Sequence, residues 1–519
     1  MSDTFPRRSF AAGHSSSRTT RRFLANGLLV LASIVVCLVV AEGATRVIDD
    51  LPAVGVVLPE PVAAPGVDTT SRYFGRMPRV DGTSRELYLS DPLPLPNRTQ
   101  PPPEWIELRR RIANRPPFSA LGSANAFQPW DMFKAWNSVF VGDPCKHPYL
   151  RGAPGRLFVY DPPDGEPRPT FRFLPEATTP LGLVTNAFGW RGRKVPFERQ
   201  ADTVRIVFVG ASTTVEPHNY PFSGAEHVDH WLNRWALERG LKIRFEVLNA
   251  ARESVNSTDN AAIVRQEVAP LRPDLVFYYE GGNQLNLATM VKPLPTGSPQ
   301  PDGRLARWLR GLAPYSALAR RAEALAGGRE WPKPDVQLAW PQGLDEFDPD
   351  IGRTDLPVNL NIIMRDLDAI RGELAAVGAE LAIGSFHWLA KDGLELDAVR
   401  HKPILQNLNV GYFPFRYRDL ERMTAFENRV FAKYAAAHGL PFVDVAGYMP
   451  FDPDLFADAT HNTRAGVRLR AWIVFQQLLP IIESKLAIGE WPRPAPDRGD
   501  THPAFATKPR QITFDCRPS

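Results

Sequence analysis

Four short stretches carry the residue types that could do chemistry. The first is VRIVFVGASTT, residues 204 to 214, where six strand-forming residues run into Gly210 and then into Ser212, Thr213 and Thr214. A serine hydroxyl is a poor nucleophile at neutral pH and needs a base, usually a histidine oriented by a carboxylate. DATH supplies such a pair in Asp458 and His461. In a turn entering a helix, residues i and i+3 lie on one side, so the carboxylate accepts from Nδ1 and leaves Nε2 facing a hydroxyl. Alone, D-x-x-H says little. An esterolytic serine also needs donors for the oxyanion. In EGGN, Gly281 and Gly282 permit a tight turn and Asn283 carries an amide, while in LNAAR the residue Ala251 offers a backbone N–H. The chemistry these groups share is acyl transfer through a serine ester.

These residues must be brought together by regular elements. From Val204 onward, short apolar runs alternate with amphipathic ones: strands at 204–209, 243–248, 274–279, 380–386 and 441–446, separated by helical patterns that end at Gly240 and Gly439 among others. NIIMRDLDAIRGELAAVG puts Ile363, Leu367, Ile370, Leu374 and Val377 on one face at helical spacing. Five alternations predict an α/β fold, a doubly wound parallel sheet that carries its site at the carboxyl ends of the strands. Ser212, Ala251 and Asn283 follow the first three strands, and His461 precedes the last long helix, so all four converge on one edge.

With those residues in place, the chain resembles the SGNH, or GDSL-type, hydrolases, whose four blocks supply Ser, Gly, Asn and His in order. Here they are GAST at 210–213, NAA at 249–251, GGN at 281–283 and DATH at 458–461. The lead-in TNAFGWRG also resembles membrane-anchored bacterial members, in which N-x-x-G-[FW]-R-G precedes the serine strand. The resemblance covers about residues 185–485. It implies a flavodoxin-like sheet in the order 2-1-3-4-5, Ser212 as nucleophile, His461 as base and Asp458 as its orienting carboxylate. The oxyanion hole would come from the N–H groups of Ser212 and Ala251 and the Asn283 amide, with Gly210, Gly281 and Gly282 shaping the supporting turns. No cofactor or metal is implied. Three positions depart from the pattern: Ala211 replaces the aspartate of the GDS form, Ala251 the usual glycine, and Gln284 a frequent aspartate. Ala251 would lose its donor role if that position required a positive φ.

The ends of the chain add location. Arg7, Arg8, Arg18, Arg21 and Arg22 precede an apolar run from Phe23 to Ala41. Such a run can span a bilayer, and arginines held inside would put everything after about Ala44 outside the cytoplasm. A cleaved signal peptide and a twin-arginine signal, from TTRRFL, are the competing readings. The expected organisation is a basic cytoplasmic tail at 1–22, an anchor at 23–44 and a proline-rich stalk or wrapped extension at 45–103. An irregular β-rich accessory module at 104–185, the hydrolase domain at 186–485 with an insertion at about 291–342, and a proline-rich tail at 486–519 complete it. The insertion contains GRLARWLRGLAPYSALARRAEALAGG, a basic amphipathic helix pattern suited to capping the site, resting on a membrane surface or, most commonly for such patterns, simply being solvated. A net charge of +4 with no basic stripe argues against nucleic acid. Of three cysteines, Cys145 and Cys516 fall in the exported part and could pair as a disulfide or stay free.

Other polar residues near the predicted edge have plain roles as well as functional ones. Arg252, His218 and His387 are candidate substrate contacts, with loop lining or packing as the alternative. Asp444 reads as a helix cap and Glu280 as support for the neighbouring turn. The expectation is a membrane-anchored, extracytoplasmic (periplasmic) serine esterase or acyltransferase acting on O-acyl groups of a cell-envelope glycan. A lipase or lysophospholipase, and a catalytically silent glycan-binding or assembly scaffold, are the alternatives.

Overall fold

A run of β-branched and aromatic residues that is apolar on both sides suits a strand buried between two helical layers. β1 (Thr203–Gly210) is such a strand, buried at all eight positions. The computed structural model of the chain describes residues 16–49, 51, 53, 70–93, 158–161, 168–169, 172–173, 184–216, 222–291, 295, 308–309, 311–312, 315–397, 401–494 and 510–512. Cys145, Cys516, His218 and most of the expected stalk, accessory module and tail lie outside the described residues.

β2 (Arg244–Asn249), β3 (Leu275–Tyr279), β4 (Glu380–Gly384) and β5 (Phe442–Val443) complete a parallel sheet in the order β2-β1-β3-β4-β5. This is the flavodoxin-like 2-1-3-4-5 order. Register is fixed through β1, where Val207 stands opposite Leu248 on one side and Val276 on the other. β5 is shorter than its apolar run because Asp444 leaves the strand to cap the turn Val445–Tyr448, accepting from Gly447 N at 3.0 Å.

Two helical layers enclose the sheet. α4 (Gly224–Glu238) and α9 (Arg464–Ala487) pack together as one, and α5 (Ser257–Ile263), α7 (Leu360–Ala376) and α8 (Tyr417–Ala437) as the other. The one-turn α3 (Ser212–Val215) links β1 to α4. Buried Trp231 of α4 and Trp472 of α9 meet edge to face at 5.1 Å, a geometry worth about 0.5–1.5 kcal/mol beyond area burial.

Residues 70–93 wrap onto this layer. α2 (Arg85–Leu89), capped by Ser84 Oγ accepting from Leu87 N at 3.1 Å, buries Tyr88 against Trp472 with ring centroids 5.2 Å apart. A separate antiparallel sheet pairs Phe158–Asp161 with Arg172–Phe173 and with Arg510–Ile512, joining the first third of the chain to its tail. α1 (Ser16–Ile48) is long and apolar enough to cross a membrane, with Leu24, Leu28, Leu29 and Leu31 exposed along it. Within the long amphipathic pattern of the insertion, Trp308, Leu309, Gly311 and Leu312 are helical and α6 covers Ala317–Gly327, with Ser316 Oγ accepting from Ala319 N at 3.1 Å.

Candidate active site

The turn that holds Ser212 is built by close approach. A Cβ at Gly210 would overlap the carbonyl of Tyr279 and the Thr214 hydroxyl, so β1 can end against β3 only with glycine there. Thr214 Oγ1 donates to that same Tyr279 carbonyl at 2.8 Å. α3 is too short to satisfy its own carbonyls, and side chains from distant elements take them. Asn249 Nδ2, at the end of β2, donates to Thr214 O at 2.8 Å. Arg191 Nη1 donates to Val215 O at 3.0 Å and to Glu216 O. Arg470 of α9 donates to Thr213 O at 2.5 Å and pairs with the buried Glu216 carboxylate, its guanidinium 4.9 Å from the Tyr279 ring centre. Glu216 sits at φ 49°, closing the turn in the left-handed region. The N-x-x-G-W-R-G lead-in therefore has a structural role, since it inserts Arg191 behind the serine turn.

His461 and Asp458 come from the loop before α9. Phe456 bridges Asn462 and Ala457 N donates to His461 O at 2.7 Å, which folds DATH into a tight turn. Asp458 Oδ1 accepts from the N–H groups of Thr460 at 2.8 Å and His461 at 2.7 Å, leaving Oδ2 2.8 Å from His461 Nδ1. His461 Nε2 lies 2.8 Å from Ser212 Oγ. The three residues thus form a Ser–His–Asp relay across 249 positions of sequence. Burial pushes the Asp458 carboxyl up, but the His461 imidazole and the N–H groups of His461 and Thr460 outweigh it and hold the carboxyl below its ordinary value. A carboxylate so held stays ionised behind the ring.

Ser212, Asp458, His461, Gly282 and Asn283 share one cavity of about 170 Å³, walled by Phe386, Trp388 and Tyr412. Asn283 is fixed at both ends of the residue: its N–H donates to Glu280 Oε1 at 2.8 Å and its amide Nδ2 to Val255 O at 2.9 Å, leaving a second amide proton. Ala251 requires a correction. Its φ is not positive, so alanine is unstrained there, but its N–H donates to Asn249 Oδ1 at 3.2 Å and it does not line the cavity.

Two other candidates are also placed elsewhere. Arg252 is buried and ion-paired with Glu267, which also accepts from Trp190 Nε1 at 3.0 Å, so it braces the core instead of contacting substrate. His387 is buried between the Phe451 and Phe456 rings, and burial pushes its imidazole down to about 4, keeping it neutral. Several residues at the site carried no local signal in the sequence. Asn407 Oδ1 accepts from Ala459 N at 3.2 Å and so positions the DATH loop, and Arg470 and Glu216 meet only through the fold.

Beneath the Gly281–Gly282 turn lie two buried carboxyls. Glu427 of α8 is fully enclosed, and a Cβ on Gly281 would overlap its carboxyl. Burial, reinforced by nearby Glu280, pushes Glu427 well above the usual carboxylate range. Burial also pushes Glu280 up to about 7, against the Asn283 N–H and the Tyr278 hydroxyl. A carboxyl raised on folding contributes its full stability below the unfolded value and loses it as pH rises toward the folded one, at about 1.4 kcal/mol per pH unit. Between about pH 5 and 7 the melting temperature should therefore fall less steeply in Glu427→Gln than in wild type. Thermal denaturation across that range checks it, and parallel slopes would contradict it.

A doubly wound sheet in this order, with serine after its first strand, the Gly-Gly-Asn turn after its third and histidine ahead of the last helix, is the flavodoxin-like arrangement that the resemblance to SGNH hydrolases implies. No protein-family model matches the chain, and no curated protein matches it. Among solved structures it is similar to an acetylxylan esterase from Geobacillus stearothermophilus, at 14% identity over 54% of this chain and 96% of that one, with a TM-score of 0.30. It is likewise similar to a lipase/acylhydrolase from Enterococcus faecalis, at 16% identity over 54% and 96% of the two chains and a TM-score of 0.29. A GDSL-like lipase from Bacteroides thetaiotaomicron aligns at 12% identity over 54% and 88%, with a TM-score of 0.27. At such scores the likeness carries no weight of its own beside the strand order and the side-chain contacts.

Proposed function

We propose that the protein is a serine esterase or acyltransferase of SGNH type, anchored by α1 and acting outside the cytoplasm on short O-acyl groups of a cell-envelope polysaccharide. The observation that carries the ester chemistry is the relay from Ser212 Oγ through His461 to Asp458, with 2.8 Å at each contact. His461 takes the proton as Ser212 attacks the ester carbonyl, and the same proton passes to the departing alcohol as the acyl-serine forms. Water or an acceptor hydroxyl then releases the acyl group by the reverse proton path. The oxyanion is held by the N–H of Ser212, at the start of α3, and by the free amide proton of Asn283. Asn283→Ala is expected to lower kcat by about 10²–10³-fold with little change in KM, measured on p-nitrophenyl acetate.

Cavity size supports a short acyl group. A cavity of about 170 Å³, walled by Phe386, Trp388 and Tyr412, suits an acetyl ester better than a fatty acyl chain. The polysaccharide rests on the arginine-led anchor and on the family resemblance, in which glycan esterases recur. Comparing p-nitrophenyl acetate with the octanoate and palmitate tests the short-acyl reading. Acetate should be preferred, and a preference for palmitate would favour the lipase alternative.

A further inference from the structure

We propose that α6 and the aromatic segment before it form a membrane-contact surface, lying in the headgroup layer of the same bilayer that α1 crosses. The proposal rests on the reading of α1 as a transmembrane anchor. Its observation is a joint between α1 and α6 made by residues on successive turns of α1. Glu42 accepts from Ser316 Oγ at 2.7 Å and from the first N–H groups of α6, Ala317 at 2.8 Å and Leu318 at 3.0 Å. Arg46, ion-paired to Glu42 at 2.7 Å, donates to Tyr315 O at 3.0 Å. One turn on, Asp49 pairs with Arg321 at 2.5 Å.

A carboxylate just past an apolar span would ordinarily be a solvated flank. Here it caps a helix 275 residues away in sequence, using the four-donor need and positive dipole of that helix N-terminus. The joint also fixes height. The apolar run ends at Ala41, and at about 1.5 Å per residue Glu42 stands only ~2 Å beyond it, whereas the interfacial layer on each side of the hydrocarbon is roughly 5–8 Å thick. The residues leading into α6 must therefore lie at headgroup level. Their chemistry suits that place: Trp308 is 61% exposed and Tyr315 49% exposed, and at the end of α1 Val47 is 81% and Ile48 69% exposed. Large apolar side chains left open at such a height favour contact with the bilayer, and Trp and Tyr are the residues enriched where a bilayer meets water. Three arginines, Arg304, Arg307 and Arg310, accompany them in the sequence and favour anionic headgroups.

The test uses full-length protein in nanodiscs of phosphatidylcholine and phosphatidylglycerol, with Cys37, Cys145 and Cys516 replaced by serine and a nitroxide placed by Leu31→Cys or Trp308→Cys. Collision with oxygen and with an aqueous nickel chelate reads depth. The label at 31 should be shielded from the chelate, as a mid-span site must be, and the label at 308 partly shielded, at interfacial depth. Adding Glu42→Ala should return the label at 308 to water and leave that at 31 deep. A deep label at 31 with a label at 308 as open to the chelate as free nitroxide in buffer would overturn the contact surface while keeping the anchor. A label at 31 open to water would overturn the anchor reading and the surface with it.

Discussion

Ser212→Ala and His461→Ala are each expected to lower kcat/KM on p-nitrophenyl acetate by about 10⁴-fold or more, and the double variant to lose little beyond either single one. The reason is geometric. With Ser212 Oγ and His461 Nε2 2.8 Å apart and both buried, the hydroxyl and the ring nitrogen that takes its proton act as one unit. Removing either member leaves only binding and the oxyanion donors, so the two losses do not add. Ser212→Ala should leave the melting temperature nearly unchanged, since the turn is held by Thr214, Asn249, Arg191 and Arg470 and not by the serine hydroxyl. Steady-state kinetics with thermal denaturation alongside separates lost chemistry from lost fold.

Asp458→Asn carries the second large effect, a fall in kcat of about 10⁴-fold with the fold retained. Oδ1 of Asp458 accepts from two backbone N–H groups, and the asparagine oxygen can keep both bonds. That choice turns the amide NH₂ toward Nδ1 of His461, where a carboxylate oxygen stands at 2.8 Å in wild type. Two donors then face each other unless the ring moves its proton to Nε2, and the tautomer so produced cannot accept from Ser212. Asp458→Asn should therefore be as inactive as a relay variant at neutral pH while melting close to wild type, and activity near the wild-type level would count against Asp458 as the orienting group.

How much of this was legible in the sequence follows from the range of the forces involved. The parallel sheet could be read because each strand is a short apolar run ended by small or polar residues, and the relay because Ser212 and DATH stand at predictable ends of elements. Boundaries shifted where a side chain overruled a pattern. Asp444 ended β5 after two residues, where the apolar run alone suggested six. Long-range polar contacts left no trace. Arg470 meets Glu216 from 254 positions away and Glu427 meets Gly281 from another helix, and neither pairing has a spacing that one sequence reveals. Ala251 and Arg252 misled for the converse reason: they follow a strand at the correct edge, but Asn249 takes the N–H of Ala251 and Glu267 pairs with the buried guanidinium of Arg252.

The most direct measurement of the central claim is labelling of the full-length protein with a fluorophosphonate, read by intact mass and peptide mapping. A serine activated by its relay should take up one equivalent at Ser212, with Ser212→Ala unlabelled and His461→Ala labelled far more slowly. Absence of any adduct on the folded wild-type protein, or an adduct that persists in Ser212→Ala, would contradict it.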